Sequence, residues 1–233
     1  MRPCTIDESV LPTGVADVAS SLSRWSHSEA FYLSGGTALS LQLGHRQSRD
    51  LDFFTKAPLQ RLPQLTDLER SIGPNHSFEW VLRTPQQQEF RADGVATTLL
   101  AYPFQHRYGF CSWRGLWVAD PRDIAIQEAY TIGRQAVARD YLDLHALLCV
   151  TQTISLGDLL QAAQIVYGEG FSSRLFLRQL TDDSDLIDHD DAITLLISPY
   201  SFEAIMDDLQ SLVRDWLNAE LGKTAPPDSD DKQ

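Results

Sequence analysis

Apolar and polar positions change their spacing along this chain, and the change divides it in two. Val15, Val18, Leu22 and Trp25 recur at helical intervals, which predicts a helix over residues 12 to 30. The apolar run Phe31-Tyr32-Leu33 has the length of a buried strand and stops at Gly35-Gly36. Thr37 to Leu43 then reads as a helix, with Ser34 or Thr37 available to cap its first turn. Asp50-Leu51-Asp52-Phe53-Phe54 alternates, so as a strand it sends both carboxylates to one face and Leu51 and Phe53 to the other. A helix over Leu59 to Ile72 follows, closed by Gly73-Pro74, and then strands over Phe78 to Thr84, Glu89 to Ala92 and Val95 to Tyr102. Asp93-Gly94 is a hairpin signal between the last two. Phe110 to Val118 reads as one more strand or a buried loop.

From Pro121 the period lengthens to nearly four. Asp120 suits a cap and Pro121 a first helical position, and helices are predicted from there to Ile132, over Ala136 to Val150, Leu156 to Tyr167, Ser172 to Leu180, Ala192 to Ile197 and Ser201 to Leu221. Strands mixed with helices, then helices alone, predict an α+β fold. Its parts would be an α/β domain over residues 1 to 120, a helical domain over 121 to 222, and a disordered acidic tail over 223 to 233.

Composition changes this picture little, and charge changes it in one respect. Hydrophobic residues make up 43% and charged ones 22%, as in ordinary globular proteins. The opening MRPCTIDESV is not a basic start followed by an apolar run, and no stretch reaches the length of a membrane span. These features imply a cytoplasmic protein with no membrane association. Cys4, Cys111 and Cys149 lie far apart without metal-ligand spacing, which implies reduced thiols. The net charge of −13 argues at first against a nucleic-acid partner. Residues 181 to 233, however, hold 14 acids and 3 bases, so the portion before them is nearly neutral and an RNA partner stays open.

The chemistry is concentrated in FYLSGGTALSLQLGHRQSRDLDFF, Phe31 to Phe54. Two acids on one strand face repel each other, and a divalent ion of magnesium type relieves that repulsion through hard oxygen ligands. Glycines at a helix start let phosphate approach free N–H groups. Gly-Gly followed at this distance by Asp-x-Asp resembles the signature of the polymerase-β-like nucleotidyltransferases. GGTAL with HRxSxDLDFF is similar, within that superfamily, to the AbiEii/AbiGii toxins of type IV toxin–antitoxin pairs. The resemblance implies a polymerase-β-like α/β half with a mixed sheet, followed by an all-helical half. It also implies transfer of a nucleoside monophosphate from an NTP, with magnesium, to an acceptor such as RNA or the end of tRNA, and a cognate antitoxin.

Carried onto this chain, the resemblance gives Asp50 and Asp52 the metal, and gives Ser34, Gly35, Gly36 and Thr37 the phosphates, with Arg46 and Arg49 as candidate phosphate contacts. Asp143 is the candidate for orienting or deprotonating the acceptor hydroxyl, steadied by Arg134. Within DIAIQEAYTIGRQAVARDYLDLHALL, Arg134, Asp140 and Asp143 match the family, whereas its lysine falls on Glu128. The third carboxylate of many polymerase-β-like enzymes is matched by Thr98. Arg46, Arg49, Lys56 and Arg134 are the candidate substitutes for the missing cation. Two alternatives remain beside nucleotidyl transfer to RNA. One is a non-catalytic binding protein of the same fold, and the other is transfer to a protein or small-molecule acceptor.

Overall fold

The computed structural model describes residues 4 to 57, 65 to 132, 134 and 137 to 224. Its centre is a mixed sheet built from β1 (Tyr32–Ser34), β2 (Leu51–Thr55), β3 (Phe78–Arg83), β4 (Gln87–Ala92), β5 (Val95–Ala101), β6 (Phe110–Trp113) and β7 (Leu116–Ala119). The order across it is β3-β4-β5-β2-β1-β7-β6. β1 runs parallel to β7 and antiparallel to β2, and β2 runs parallel to β5. The predicted α+β class with a mixed sheet is therefore correct.

Register decides which side chains share a face. Phe53 pairs with Leu99 and Phe90 with Thr97, all of them buried, while Asp52 pairs with Thr98 and Thr98 with Glu89 on the opposite face. The alternation around Asp50-Leu51-Asp52 was thus read in the right phase. The Asp93-Gly94 turn has positive φ at both residues, 49° and 81°, as a tight hairpin requires. Phe110 to Val118 proves to be two strands. Arg114 and Gly115 turn the chain with φ of 50° and 84°, and an arginine in that position hides the hairpin from a sequence reading.

Helices α1 (Val15–Ser23), α2 (Gly35–Leu43) and α3 (Leu65–Ile72) accompany the sheet. Val15, Val18 and Leu22 of α1 are all buried, as their spacing predicts. The first part of the helix predicted over Leu59 to Ile72 lies outside the described residues, as does most of the predicted acidic tail. After β7 come α4 (Pro121–Ile132), α5 (Ala138–His145), α6 (Leu156–Tyr167), α7 (Ser173–Leu180), α8 (His189–Ile193) and α9 (Phe202–Thr224). α5 continues through a turn of π-helix, Ala146–Val150. α4 packs on α2 as well as on α5, α6 and α7, and one apolar cluster runs from Val10 to Val213. α4 is therefore buried on nearly every side, Asp123, Gln127 and Glu128 included.

Two expectations are corrected here. Cys4 and Cys111 form a disulfide, their Cα atoms 5.6 Å apart across 107 residues of sequence, so only Cys149 is a free thiol. Folding brings the two together, and no spacing rule foresees that. The helix predicted over Ala192 to Ile197 ends at Ile193. Leu195 to Ile197 instead meets His45 to Gln47, through Gln47 N–H to Leu195 O at 2.7 Å and Ile197 N–H to His45 O at 3.1 Å. That crossing ties the segment before Asp50 to the helical half.

Candidate active site

α2 starts immediately at Gly35, and the reason lies in what crowds the two glycines. A Cβ on Gly36 would stand 2.0 Å from Nη2 of Arg46, and one on Gly35 would stand 3.1 Å from Oδ2 of Asp52. Gly35 also has a φ of +63°, which side-chain-bearing residues rarely adopt. The glycine pair thus lets the acid of β2 and a buried arginine close against the helix start.

The arginine is held in turn. Arg46 Nε and Nη2 donate to Asp143 Oδ1 and Oδ2, each at 2.6 Å, and His45 Nε2 lies 2.6 Å from Oδ1. Both side chains of the Arg46–Asp143 pair are almost fully buried. Burial alone would raise the Asp143 carboxyl, but Arg46 and then His45 outweigh it and hold the group at about 2. Asp143 is a buried counter-ion with both oxygens occupied. The expected roles put Asp143 at the acceptor hydroxyl and Arg46 at phosphate; in the structure each is engaged by the other.

Other expected site residues have protein partners as well. Ser34 is wholly buried and its hydroxyl donates to Gln127 Oε1 at 2.5 Å, so it neither caps α2 nor faces a phosphate. Thr37 is buried, with its hydroxyl against Ser48 Oγ at 2.7 Å and the Asp50 carbonyl, and it fixes the backbone of the acid. Arg134 is exposed, lies 3.4 Å over the Tyr130 ring and donates to the carbonyls of Tyr130 and Gly170 at 3.0 and 2.8 Å. It neither pairs with Asp140 nor touches Asp143. Each of these hydroxyls and charges has a partner distant in sequence, which spacing does not disclose.

What remains open are the acids of β2 and what surrounds them. Asp50 is 40% exposed at its side chain, and Arg139, on the first turn of α5, brings Nη1 to 3.6 Å from its Oδ2. Asp52 is more enclosed. Burial, with a contribution from Asp50 against a hydrogen bond from Thr98, pushes its carboxyl up to about 6. Two neighbouring acids, one with its charge penalised, form a donor set suited to a divalent cation of magnesium type. Arg49 is exposed and lines the same cleft as Asp50 and Arg139.

Glu128, at the position where the resemblance implies a lysine, is 8% exposed. Burial, then the charges of Asp140 and Asp143, drives its carboxyl well above the ordinary range, against the pull of Arg46. Asp140 is pushed up to about 7, by burial and then by Asp143, against a hydrogen bond from the Val137 N–H. Arg139 and Gln127 had no part in the sequence reading. Arg139 was legible as the residue just before Asp140 in the matched helix.

Residues 18–126 match the family model described as nucleotidyl transferase AbiEii toxin, type IV TA system. A protein of Aquifex aeolicus is 30% identical over 126 residues, 51% of this chain and 57% of that one. The chain thus spans just over half the length of that curated relative. The crystal structure of JHP933 from Helicobacter pylori superposes with a TM-score of 0.54 at 17% identity, covering 94% of this chain and 98% of JHP933. MenT4, a nucleotidyltransferase toxin from Mycobacterium tuberculosis, superposes with a TM-score of 0.54 at 16% identity, covering 86% and 83%. At such identities the likeness is one of fold.

Proposed function

We propose that this chain, whose residues 18–126 match the AbiEii nucleotidyltransferase toxin family model, transfers a nucleoside monophosphate from an NTP to an RNA acceptor as the toxin of a type IV toxin–antitoxin pair. The observation that supports this most directly is the pair Asp50 and Asp52 at the edge of β2, with the start of α2 closed against Asp52. In the reaction the acceptor hydroxyl loses its proton as its oxygen bonds to the α-phosphorus. The bond from that phosphorus to the bridging oxygen breaks, and pyrophosphate leaves. Asp50 and Asp52 would hold magnesium, which when bound offsets charge on the phosphate oxygens. Asp52 is fixed by the sheet and by Thr98, which orients its carboxylate before substrate arrives, and the hydroxyl of Thr37 holds the backbone carbonyl of Asp50. The antitoxin and the end of tRNA as acceptor come from the family alone.

Glu128 favours a second reading, a binding protein of this fold without turnover, because a buried acid stands where the resemblance implies a cation. Incubation with each α-labelled triphosphate, magnesium and total tRNA, beside an Asp50→Asn/Asp52→Asn control, separates the two. Label on RNA that requires the intact acids supports transfer. Magnesium-dependent triphosphate binding with no label on any RNA supports the second reading and rules out the first.

A further inference from the structure

A cleft of about 1100 Å³ opens beside Asp50, between the β4–β5 hairpin and the start of α5 with α8. Three arginines, Arg49, Arg91 and Arg139, stand on its walls. Arg49 and Arg91 make no ion pair with any described residue. The acids on the same walls are largely committed elsewhere. Asp93 accepts from Ser77 and lies 2.7 Å from His76, and Asp188 caps α5 through the Ala138 N–H.

Arg139 alone among these arginines reaches an acid of the β2 pair, and it does so loosely. Its guanidinium lies 3.6 Å from Asp50, and the two side chains are 43% and 40% exposed. An exposed pair at that distance holds a fold together by at most a fraction of a kcal/mol, so its charge remains free for a stronger partner. Elsewhere around the site the cations are spent. Arg46 is saturated by Asp143, Arg134 is bound to backbone carbonyls, and the position where the resemblance implies a lysine holds the buried Glu128.

We infer that Arg139 supplies the cation that receives the polyphosphate end of the substrate, in place of the lysine that Glu128 replaces. The inference rests on the nucleotidyl-transfer reading and names the residue that holds the leaving phosphates. Its position fits that role. Arg139 sits on the first turn of a helix whose N–H groups are capped by Asp140 and Asp188, so the guanidinium and not the helix end is what the cleft presents. A guanidinium also makes paired hydrogen bonds to phosphate oxygens, which a bare point charge does not.

The test uses the whole chain and a ligand without a base, so that no nucleotide preference intrudes. Inorganic tripolyphosphate with magnesium is titrated calorimetrically into the wild type, Arg139→Gln, Arg139→Lys and Arg134→Gln. The expected result is a loss of tenfold or more in affinity for Arg139→Gln, recovery of most of it in Arg139→Lys, and no change for Arg134→Gln. Affinity of Arg139→Gln within twofold of wild type, or an equal loss in Arg134→Gln, overturns the inference while nucleotidyl transfer stands. Absence of magnesium-dependent binding in the wild type overturns both. A KM for triphosphate that rises in Arg139→Gln, with an unchanged melting temperature, excludes a merely structural role.

Discussion

Removing one partner of the Arg46–Asp143 pair should destabilise the fold far more than it alters chemistry. The two side chains are 4% and 2% exposed, joined by two hydrogen bonds of 2.6 Å. Asp143→Asn leaves a buried guanidinium without its charge, a loss of about 3–5 kcal/mol. The depressed carboxyl gives an independent measure. A group held at about 2 against an ordinary 3.8 stabilises the folded state by roughly 2–3 kcal/mol above pH 4. That contribution disappears as pH falls from 4 through 2, because the unfolded chain takes up the proton first. Urea denaturation followed by tryptophan fluorescence reads both effects, and melting should fall by roughly 6–20 °C. In a double-mutant cycle, Arg46→Met/Asp143→Leu should recover much of the loss, since two apolar groups strand no charge. Single variants within ~1 kcal/mol of wild type would refute the reasoning. A stable but inactive Asp143→Asn would return Asp143 to the acceptor.

Three further outcomes follow from the same geometry. Gly36→Ala places a methyl 2.0 Å from Arg46 Nη2 and should cost about 1–3 kcal/mol in urea, less in an Arg46→Met background. Asp52→Asn without divalent cations should be more stable than wild type by about 2–3 kcal/mol above pH 6. The folded carboxyl titrates at about 6 and the unfolded one near 3.8, so the gain should shrink as pH falls between them and vanish below 4; a pH-independent gain would contradict it. Alkylation after unfolding without reductant should label Cys149 alone, and all three cysteines once reductant is added; three labels in both arms would exclude the Cys4–Cys111 bridge.

Features that depend on neighbours in sequence were legible, and features that depend on distant partners were not. Strand β2, its facing and the Gly-Gly start of α2 follow from alternation and from glycine alone. The Asp93-Gly94 hairpin follows from its turn residues, whereas Arg114-Gly115 hid a second hairpin because arginine seldom takes a positive φ. Ser34, Thr37 and Arg46 were expected at phosphate and Asp143 at the acceptor hydroxyl, and each has a partner within the protein. Those partners are Gln127, Ser48, and Arg46 and Asp143 for each other, 11 to 97 residues away, and sequence spacing cannot tell a buried partner from a substrate.

Burial decides which charges near β2 remain for a substrate. A buried cation and a buried anion must neutralise each other, because neither can be left alone in low dielectric. Arg46 and Asp143 do so, and their conspicuous motif positions describe packing. A buried acid among other acids is penalised in its charged form, which is the condition of Glu128 beside Asp140 and Asp143. On the open side charges keep their hydration: Arg49 and Arg91 of the adjoining cleft make no ion pair with a described residue, and Arg139 meets the half-exposed Asp50 only at 3.6 Å.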